Sequence, residues 1–315
     1  MRRALVVGID RYAFGNLDGC VNDARRLAGL LRRHEDGSPN FDVRELTDPP
    51  AAVTRSSLSQ AIEELFADEV DVALFFFAGH GTENDLDGYL VTPDAERYEE
   101  GIPMTQLLTR ANESRAREVV AILDSCHSGA LGQMPAVGRN LAQLKEGVSI
   151  LTASRPDQAA LEVAGGGVFT SLICGALEGG AADVIGNVTT AGLYAYVDQS
   201  LGSWDQRPLF KSHVAKLVPI RRARPAVELE ILRRLPVWFP DPDSRFALDP
   251  SYEPEAEPHV AEHERVFRQL QRCNRAKLVD PVDEEHMYFA AINSTGCALT
   301  ALGRHYWRLA ADNRI

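Results

Sequence analysis

Two uninterrupted apolar runs limit what this chain can fold into. VALFFF at residues 72–77 and VVAIL at residues 119–123 contain no polar side chain, which is typical of central parallel strands covered on both faces. Amphipathic stretches with a helical period lie between runs of this kind. The alternation predicts an α/β fold with a mainly parallel sheet and helices on both sides. Further strands are predicted at residues 4–9, 41–46, 148–151 and 214–218, and helices at residues 21–33 and 56–66.

The length and the change of texture along the chain predict two domains. A chain of 315 residues exceeds what one hydrophobic core usually spans, so we expect one large and one smaller domain. The strand and helix alternation occupies residues 1–219. Residues 220–260 carry the proline- and acid-rich stretch WFPDPDSRFALDPSYEPEAEP, which is typical of a linker. Residues 261–315 begin with a helical pattern and form the predicted smaller domain.

The negative charge of the chain is concentrated in its first part. Residues 1–219 hold 19 Lys and Arg against 30 Asp and Glu, a net charge of −11, and the remaining residues hold 14 against 15. A domain of this charge is repelled by phosphate backbones and by anionic membrane surfaces. We therefore expect neither nucleic acid nor a membrane as its partner. Cationic peptides or basic protein segments suit it better.

Three further features predict a cytoplasmic protein. No run approaches 18 uninterrupted apolar residues, so no transmembrane helix is predicted. The start is basic, but the apolar run at residues 4–9 is too short for a signal peptide. The five cysteines are odd in number and widely spaced, which fits neither a disulfide framework nor a CxxC metal pair.

Reactive side chains follow both of the long apolar runs. VALFFF leads into AGHG, and VVAIL leads into DSCHSG. Sites in open parallel sheets form at the carboxyl ends of strands. His80, flanked by glycines, is a candidate base, and Cys126 at the other strand end is a candidate thiolate nucleophile that this base activates. The backbone N–H groups of Gly81 and Cys126 are candidate donors to a developing oxyanion.

Other interpretations of these two segments remain open at this point. Cys126 and His80 are each compatible with a buried structural role. His127 is a rival base, although adjacent side chains of an extended segment point to opposite faces, which directs it away from the Cys126 sulfur. Ser125 and Ser128 are rival nucleophiles, but their segment lacks the GxSxG pattern of serine hydrolases.

Several motifs together resemble one family. GHG and DSCHSG are followed by GVFTSLICGAL and DQRPLF and preceded by LDGCVNDARRLAGLL, with LTASRPDQAALE after the fifth strand. This set resembles the caspase-like cysteine peptidases (peptidase family C14), and DSCHSG resembles metacaspases and their bacterial relatives in particular. The resemblance covers residues 3–219. It implies a caspase-hemoglobinase fold and hydrolysis of peptide bonds by a dyad of Cys126 and His80.

The resemblance also implies where the substrate side chain binds. The acidic positions of the metacaspase primary specificity pocket fall on Asp23 and Asp124, with Cys20 as a lining residue. A serine two residues before the histidine in that family is Ala78 here, so one hydrogen bond to a guanidinium is missing. Two carboxylates in a partly desolvated pocket pair well with an Arg side chain. We expect protein substrates cut after Arg, with Lys as the alternative. A helix N-terminal charge is the competing explanation for Asp23.

No cofactor is expected, although calcium stays open. Some metacaspases bind Ca²⁺ through aspartates after the GHG loop, and Asp85, Asp87 and Asp94 lie in that region. The paired acids that follow in those relatives are replaced here by GIPMTQ. A hard-cation site needs six or more oxygen ligands, so no metal site is assigned.

The segment at residues 130–147 is a candidate activation loop. It lies between DSCHSG and the fifth strand and contains Arg139 and Lys145, which both fit the predicted specificity. Relatives are often matured by a cut in this region, made by themselves or by an upstream protease. We therefore predict cleavage after Arg139 or Lys145, and whether the uncut chain is an inactive zymogen stays open.

The end of the chain carries a second, shorter resemblance. The pattern LT-xx-G-xx-YW-xL resembles the winged-helix units of bacterial regulators. Its predicted core residues are Leu299, Leu302, Tyr306, Trp307 and Leu309. The segment is not strongly basic, which favours docking to a protein over binding to DNA. His286, Cys273 and Cys297 lack the spacing of metal ligands.

Two functions from different classes follow. The first is a protease in a bacterial signalling, antiviral-defence or cell-death pathway, with the C-terminal unit selecting a substrate or an activator. The second is a caspase-fold scaffold or regulator whose winged-helix-like domain mediates protein or DNA binding. The intact dyad favours the protease. Strong retention on DNA at low salt is expected only of the regulator.

Overall fold

The structure is a computed structural model, and it divides the chain into two compact units. The described residues are 1–48, 52–84, 87–96, 99–125, 144–153, 162–163, 166–201, 208–214, 218–258 and 260–315. The first unit comprises residues 1–182 and 187–224, and the second comprises residues 183–186 and 225–315. In both parts of the described chain, no helix is long and apolar enough to cross a membrane.

The first unit alternates strands and helices as the sequence predicts. Its strands are β1 (Arg2–Ile9), β2 (Asp42–Asp48), β3 (Val72–Ala78), β4 (Gly81–Glu83), β5 (Gly88–Glu96), β6 (Glu99–Pro103), β7 (Glu118–Asp124), β8 (Val148–Thr152), β9 (Glu162–Val163), β10 (Gly166–Gly167), β11 (Asn187–Val188), β12 (Leu209–His213) and β13 (Arg221–Arg222). Its helices are α1 (Cys20–Arg32), α2 (Arg55–Ala67), α3 (Met104–Glu113), α4 (Val168–Gly175), which continues into a π-helical turn at Ala176–Gly180, and α5 (Thr190–Ser200).

The central sheet has the strand order β12-β8-β7-β3-β1-β2. Five of these strands are parallel, and β12 pairs antiparallel with β8 at one edge. Every residue of β3 and β7 is buried, because both strands lie inside the sheet with helices over both faces. This confirms the predicted α/β fold and the assignment of the two apolar runs.

Alternate residues along the central strands enter two different cores. Phe75, Phe77 and Leu123 lie in the core that contains the buried faces of α2 and α3. Phe76 and Ile122 lie in the core that contains the buried faces of α1, α4 and α5. The period of two in a strand therefore assigns each side chain near the site to one face of the sheet.

The edge strand differs from the prediction. β12 is Leu209–His213, whereas the sequence pattern predicted a strand at residues 214–218, of which residues 215–217 lie outside the described residues. LFKSH mixes apolar, basic and polar residues because an edge strand is only partly covered, and its residues are half-buried or exposed. Partial burial leaves a weak apolar pattern in the sequence.

The second unit has its own small sheet and core. Its helices are α6 (Leu229–Leu232), α7 (Leu235–Trp238), α8 (Ala261–Arg275), α9 (Met287–Ile292) and α10 (Ala301–Ala311), with a 3₁₀ turn at Pro250–Tyr252. Its strands are β14 (Arg245–Phe246), β15 (Val279–Pro281) and β16 (Cys297–Leu299), paired in the order β14-β16-β15. The winged-helix resemblance of this unit stays a prediction.

The linker prediction for residues 220–260 is wrong for the segment from residue 225 onward. Val227, Leu232 and Phe239 are fully buried in the core that also contains Leu270 and Cys297. The proline- and acid-rich composition concealed this, because apolar anchors are spaced between exposed polar turns. Residues 225–258 thus supply part of the second core.

One predicted core residue of the second unit is also wrong. Leu299 and Tyr306 are buried, and Trp307 and Leu309 pack against the same core, but Leu302 is 42% exposed. The neighbouring Gly303 brings α10 so close to the Leu278 carbonyl that this face of the helix is turned inward. Leu302, about 100° further around the helix, is thereby turned toward solvent.

Candidate active site

The two strands that lead to the predicted dyad end side by side. Ala78, the last residue of β3, is in register with Asp124, the last residue of β7. The Gly79 N–H also donates a hydrogen bond to the Asp124 carbonyl across 3.3 Å. His80 follows β3 by two residues. Cys126 follows β7 by two residues and itself lies outside the described residues.

The imidazole of His80 is oriented by a backbone carbonyl. Its Nε2 atom lies 2.9 Å from the carbonyl oxygen of Gly15. A carbonyl oxygen can only accept a hydrogen bond, so Nε2 carries the proton and donates it. In the neutral ring the other nitrogen, Nδ1, is then the basic atom. The contact therefore fixes both the orientation of the ring and its tautomer, with Nδ1 as the basic atom.

Tyr12 contacts the same histidine through both its hydroxyl and its ring. Its hydroxyl accepts a hydrogen bond from the backbone N–H of His80 across 3.1 Å and donates to the Val91 carbonyl across 3.4 Å. The two rings meet edge to face, with their centroids 4.6 Å apart. Burial raises the pKa of Tyr12 well above its ordinary value, so the hydroxyl stays protonated and keeps both roles.

Gly79 makes this close approach possible. A Cβ atom at this position would lie 2.5 Å from the Tyr12 hydroxyl and 2.9 Å from the ring of Phe77. Either distance is far inside van der Waals contact. The glycine before His80 is therefore required by packing against Tyr12, and it does more than leave open space around the histidine.

The N–H of Gly81 is not used in the strand ladder. Gly81 pairs with Leu90 in the antiparallel β4–β5 pair, and the Val91 N–H donates to the His80 carbonyl across 2.9 Å. This bond flanks the Gly81–Leu90 pair, so Gly81 is in the non-hydrogen-bonded register and its N–H points away from β5. The predicted oxyanion donor at Gly81 thus keeps its N–H for another acceptor.

The two predicted pocket acids converge on one glycine. Asp23 and Asp124 are each only 7% exposed. The Gly167 N–H donates to Asp23 Oδ2 across 2.7 Å, and the Thr170 hydroxyl donates to Asp124 Oδ2 across 2.6 Å. A Cβ atom on Gly167 would lie 2.3 Å from the Asp124 carboxylate and 3.3 Å from that of Asp23. The structure therefore brings both carboxylates together at the start of α4.

Cys20 and Ala78 lie near these acids. Both are buried in the core on the α1 and α4 face of the sheet. The Cys20 N–H donates to Asp10 Oδ1 across 2.8 Å, so Asp10 caps the start of α1, which carries Asp23 one turn later. This placement is compatible with the lining role that the resemblance implies for Cys20 and Ala78.

The other described cysteines are poor nucleophiles. Burial raises the pKa of the Cys174, Cys273 and Cys297 thiols to about 12 in each case. A thiolate is the reactive species, so these three thiols are inert near neutral pH. The rival nucleophile Ser125 is 1% exposed, and the rivals His127 and Ser128 lie outside the described residues.

Two of the three aspartates that the sequence offered as calcium ligands cap helices instead. Asp94 accepts hydrogen bonds from the Arg55 N–H at the start of α2, and Asp87 accepts from the N–H and hydroxyl of Thr105 at the start of α3. Such carboxylates stabilise helix N-termini without a cation. Asp85 lies outside the described residues. Among the residues that are described, no group of three or more His, Cys, Asp or Glu side chains has metal-site geometry.

Of the two predicted cleavage positions, only Lys145 is described. Its N–H donates to Asn112 Oδ1 across 2.9 Å, and its carbonyl accepts from Val148, the first residue of β8. The Lys145 ammonium donates to the Ser114 carbonyl across 3.0 Å. These hydrogen bonds hold both the backbone and the side chain of Lys145. Arg139 lies outside the described residues.

Sequence reasoning missed four contributors to the site. Gly15 acts through a backbone carbonyl, which carries no residue-type signal. Tyr12 follows the first strand and belongs to the loop that holds Gly15. Gly167 and Thr170 both lie in GVFTSLICGAL, a segment that the sequence analysis used only for the family resemblance.

Comparison with known proteins places these features in a family. The model of the caspase domain matches residues 1–219. Metacaspase-1 of Mycosarcoma maydis is 30% identical over 163 residues, which cover 46% of this chain and 40% of that protein. Metacaspase-1 of Pyricularia oryzae is 32% identical over 164 residues, or 46% and 41%. The chain thus spans about two fifths of the length of these curated relatives.

Solved structures match the fold of the same region. A crystal structure of a Geobacter sulfurreducens protein superposes with a TM-score of 0.51 at 18% identity and covers 71% of this chain and 97% of that one. Caspase-1 of Spodoptera frugiperda gives a TM-score of 0.50 at 15% identity, with 70% and 90% covered. At these identities the likeness concerns the fold alone.

Proposed function

The chain belongs to the caspase-domain family, and on that premise we propose that it is a cysteine endopeptidase that cuts proteins after Arg. The observation that carries the proposal is the 2.9 Å contact between His80 Nε2 and the Gly15 carbonyl. It leaves Nδ1 as a base at the strand end beside the one that leads to Cys126. A scaffold has no physical need for a histidine whose tautomer is fixed in this way.

The proposed reaction uses this base twice. His80 Nδ1 takes the proton of the Cys126 thiol, and the thiolate sulfur attacks the scissile carbonyl carbon. The resulting oxyanion accepts hydrogen bonds from the N–H groups of Gly81 and Cys126. The imidazolium then gives its proton to the leaving amine as the C–N bond breaks. Water, deprotonated by the same imidazole, hydrolyses the acyl-enzyme and releases the acid and the free thiol.

The preference for Arg is assigned to the acidic pair. Asp23 and Asp124 are both buried at the start of α4, and a buried carboxylate pair favours a partner that is always charged and has several donors. The Arg guanidinium meets both conditions. Lys is the weaker alternative, because its single ammonium donates from one point. The Ala78 side chain cannot accept a hydrogen bond from the guanidinium, so the two carboxylates are the side chains that bind it.

Activation is assigned to a cut after Arg139. Both Arg139 and Lys145 have the side chain that the acidic pair requires. A protease binds the segment around the scissile bond as an extended, unpaired chain, so the contacts of Lys145 with Asn112, Ser114 and Val148 argue against a cut after Lys145. Arg139 is therefore the proposed position of the cut. The cut is made by the chain itself or by an upstream protease.

The wider role that we propose is in a bacterial signalling, defence or cell-death pathway. The negative charge of residues 1–219 suits basic protein segments as substrates. The second unit, with its separate core, is proposed to select the substrate or the activator.

The test is hydrolysis of internally quenched peptides that contain Arg, Lys or Asp before the scissile bond. Wild type, Cys126→Ala, His80→Ala and Asp23→Asn are compared with and without calcium, and after limited proteolysis of the 130–147 segment. Asp42→Asn is the matched control, since Asp42 is an exposed carboxylate at the start of β2, the opposite end of the sheet.

Cleavage after Arg that disappears in Cys126→Ala and His80→Ala supports the dyad. A loss of at least about tenfold in kcat/KM for Arg peptides in Asp23→Asn but not in Asp42→Asn supports the acidic pocket. Cleavage after Asp contradicts the pocket assignment. No cleavage in any condition contradicts the peptidase.

A further inference from the structure

One aromatic side chain beside the candidate base is largely exposed. Phe14 is 62% exposed, although its ring lies 5.3 Å from the His80 imidazole and 5.4 Å from the Tyr12 ring, measured between centroids. Burying the rest of such a ring is favourable by the apolar area removed from water. The side chain therefore offers apolar surface directly next to the reacting groups.

The loop that carries Phe14 is held in place on both sides. The Leu17 N–H donates to the Asp10 carbonyl across 2.9 Å, and the Tyr12 N–H donates to Asn16 Oδ1 across 3.1 Å. Gly15, the next residue, holds His80 through its carbonyl. Phe14 thus needs little ordering on binding, which is the condition under which apolar contact converts into affinity.

The Tyr12 ring that Phe14 contacts and the acidic pair lie on opposite faces of the sheet. Tyr12, which Phe14 contacts, belongs to the core shared with α2 and α3. Asp23 is part of α1, and Asp124 bonds to Thr170 of α4. Both of those helices cover the other face. A peptide that places its Arg between the carboxylates and crosses this edge of the sheet then passes the imidazole and reaches the aromatic side chains beside it.

The chemistry fixes which part of the peptide this is. The imidazole that activates the thiol also protonates the leaving amine, so the leaving group must lie on the imidazole side of the scissile bond. Phe14 borders that same imidazole. We propose that Phe14 is a specificity-determining residue, which binds an apolar side chain on the substrate residue directly after the scissile bond. This inference rests on the proposed function.

The test varies only that substrate residue. Quenched peptides with Arg before the scissile bond carry Leu, Phe, Gly or Asp after it. We expect kcat/KM for the Leu and Phe peptides to exceed that for the Gly peptide by about tenfold in the wild type, at the lower end of what apolar pockets give. In Phe14→Ala this ratio of kcat/KM values falls to within about twofold. Phe14→Leu retains most of the preference. Phe289→Ala, at a 44% exposed phenylalanine of the second unit, leaves the ratio of kcat/KM values unchanged.

The outcomes separate this inference from the proposed function. Cleavage after Arg that is indifferent to the following residue, or a Phe14→Ala variant that slows all four peptides equally, overturns the role of Phe14 and leaves the peptidase intact. Absence of any cleavage overturns the proposed function. Binding then decides about Phe14: the Leu and Gly peptides are titrated into Cys126→Ala and into the double variant with Phe14→Ala. Equal Kd values for the two peptides on Cys126→Ala, which keeps Phe14, overturn the inference. Binding of the Leu peptide that is about tenfold tighter than that of the Gly peptide on Cys126→Ala, but not on the double variant, supports it.

Discussion

The Nε2 atom of His80 and the carbonyl oxygen of Gly15 lie 2.9 Å apart, although 65 residues separate them in the chain. The contact joins the loop after β1 to the segment after β3, which are neighbouring strands of the sheet. A neutral carbonyl orients the imidazole without a negative charge beside it. The ring therefore gains both a fixed orientation and a defined tautomer.

Tyr12→Phe tests how the histidine is positioned. The variant keeps the ring that packs against His80 but removes the hydroxyl that accepts a hydrogen bond from the backbone N–H of His80 across 3.1 Å. We expect kcat to fall by about tenfold because the imidazole is less well positioned, with KM for Arg peptides unchanged. Stability falls by about 1 kcal/mol. Steady-state kinetics and thermal unfolding measure the two effects, and a change in KM with unchanged kcat would contradict the positioning role.

Gly79→Ala tests the packing before the histidine. The added Cβ would lie 2.5 Å from the Tyr12 hydroxyl, so the segment must shift. We expect a destabilisation of about 1–3 kcal/mol and a loss of activity of about a hundredfold, because the base is displaced from the nucleophile. Gly29→Ala is the control. Gly29 is an exposed residue of α1 with open space around it, and there the change stabilises by about 0.5–1 kcal/mol and leaves activity unchanged.

Much of this fold is predictable because its central strands are buried on both faces. VALFFF and VVAIL are typical of central strands, and the reactive side chains that follow them indicate where the site lies. The edge strand at Leu209–His213 was misplaced because partial burial allows mixed composition. The linker assignment failed because composition alone does not show that Val227 and Phe239 share a core with Cys297.

The site itself divides in the same way. His80 is recognisable from the sequence as a reactive side chain at a strand end, whereas the pocket role of Asp23 and Asp124 was predicted only from the family resemblance. Gly15 acts through its backbone, and its role depends on which loop a sheet of this order places next to β3. Thr170 contacts Asp124 across 46 residues of chain, a distance over which no local pattern predicts contact.

Thr170→Val tests the support of the acidic pair. The substitution keeps the shape of the side chain and removes the hydroxyl that donates to Asp124 Oδ2 across 2.6 Å. We expect a destabilisation of about 1–3 kcal/mol and a rise in KM for Arg peptides of about three- to tenfold, because the carboxylate loses a bond that orients it. Thr170→Ser retains the hydroxyl and is expected to keep KM near the wild-type value. Equal KM values for Val and Ser variants would show that the hydroxyl does not orient the pocket.

The assignment of the activation cut predicts different results for two basic residues. Arg139→Ala is expected to abolish the two-fragment pattern, whereas Lys145→Ala leaves it unchanged, because the Lys145 backbone is bonded to Asn112 and Val148. Intact-mass measurement of the purified chains identifies the cut. Cys126→Ala separates self-cleavage from cutting by another protease. Fragments ending at Lys145 in the wild type would contradict the assignment.

Glu253 predicts how the stability of the second unit depends on pH. Its side chain is buried, its Oε1 atom has no hydrogen-bond partner among the described residues, and burial, followed by the charge of Glu255, raises its pKa. A raised pKa means that the folded state binds the proton more tightly than the unfolded chain. Stability is therefore higher below the unfolded pKa of about 4.3 and declines as the pH rises through the pKa of the folded state. Glu253→Gln should lack this decline, so its Tm gains on the wild type between about pH 4 and pH 7. Glu230→Gln, at an exposed carboxylate of α6, controls for the change of net charge, and parallel Tm curves for wild type and Glu253→Gln would rule out the burial penalty at Glu253.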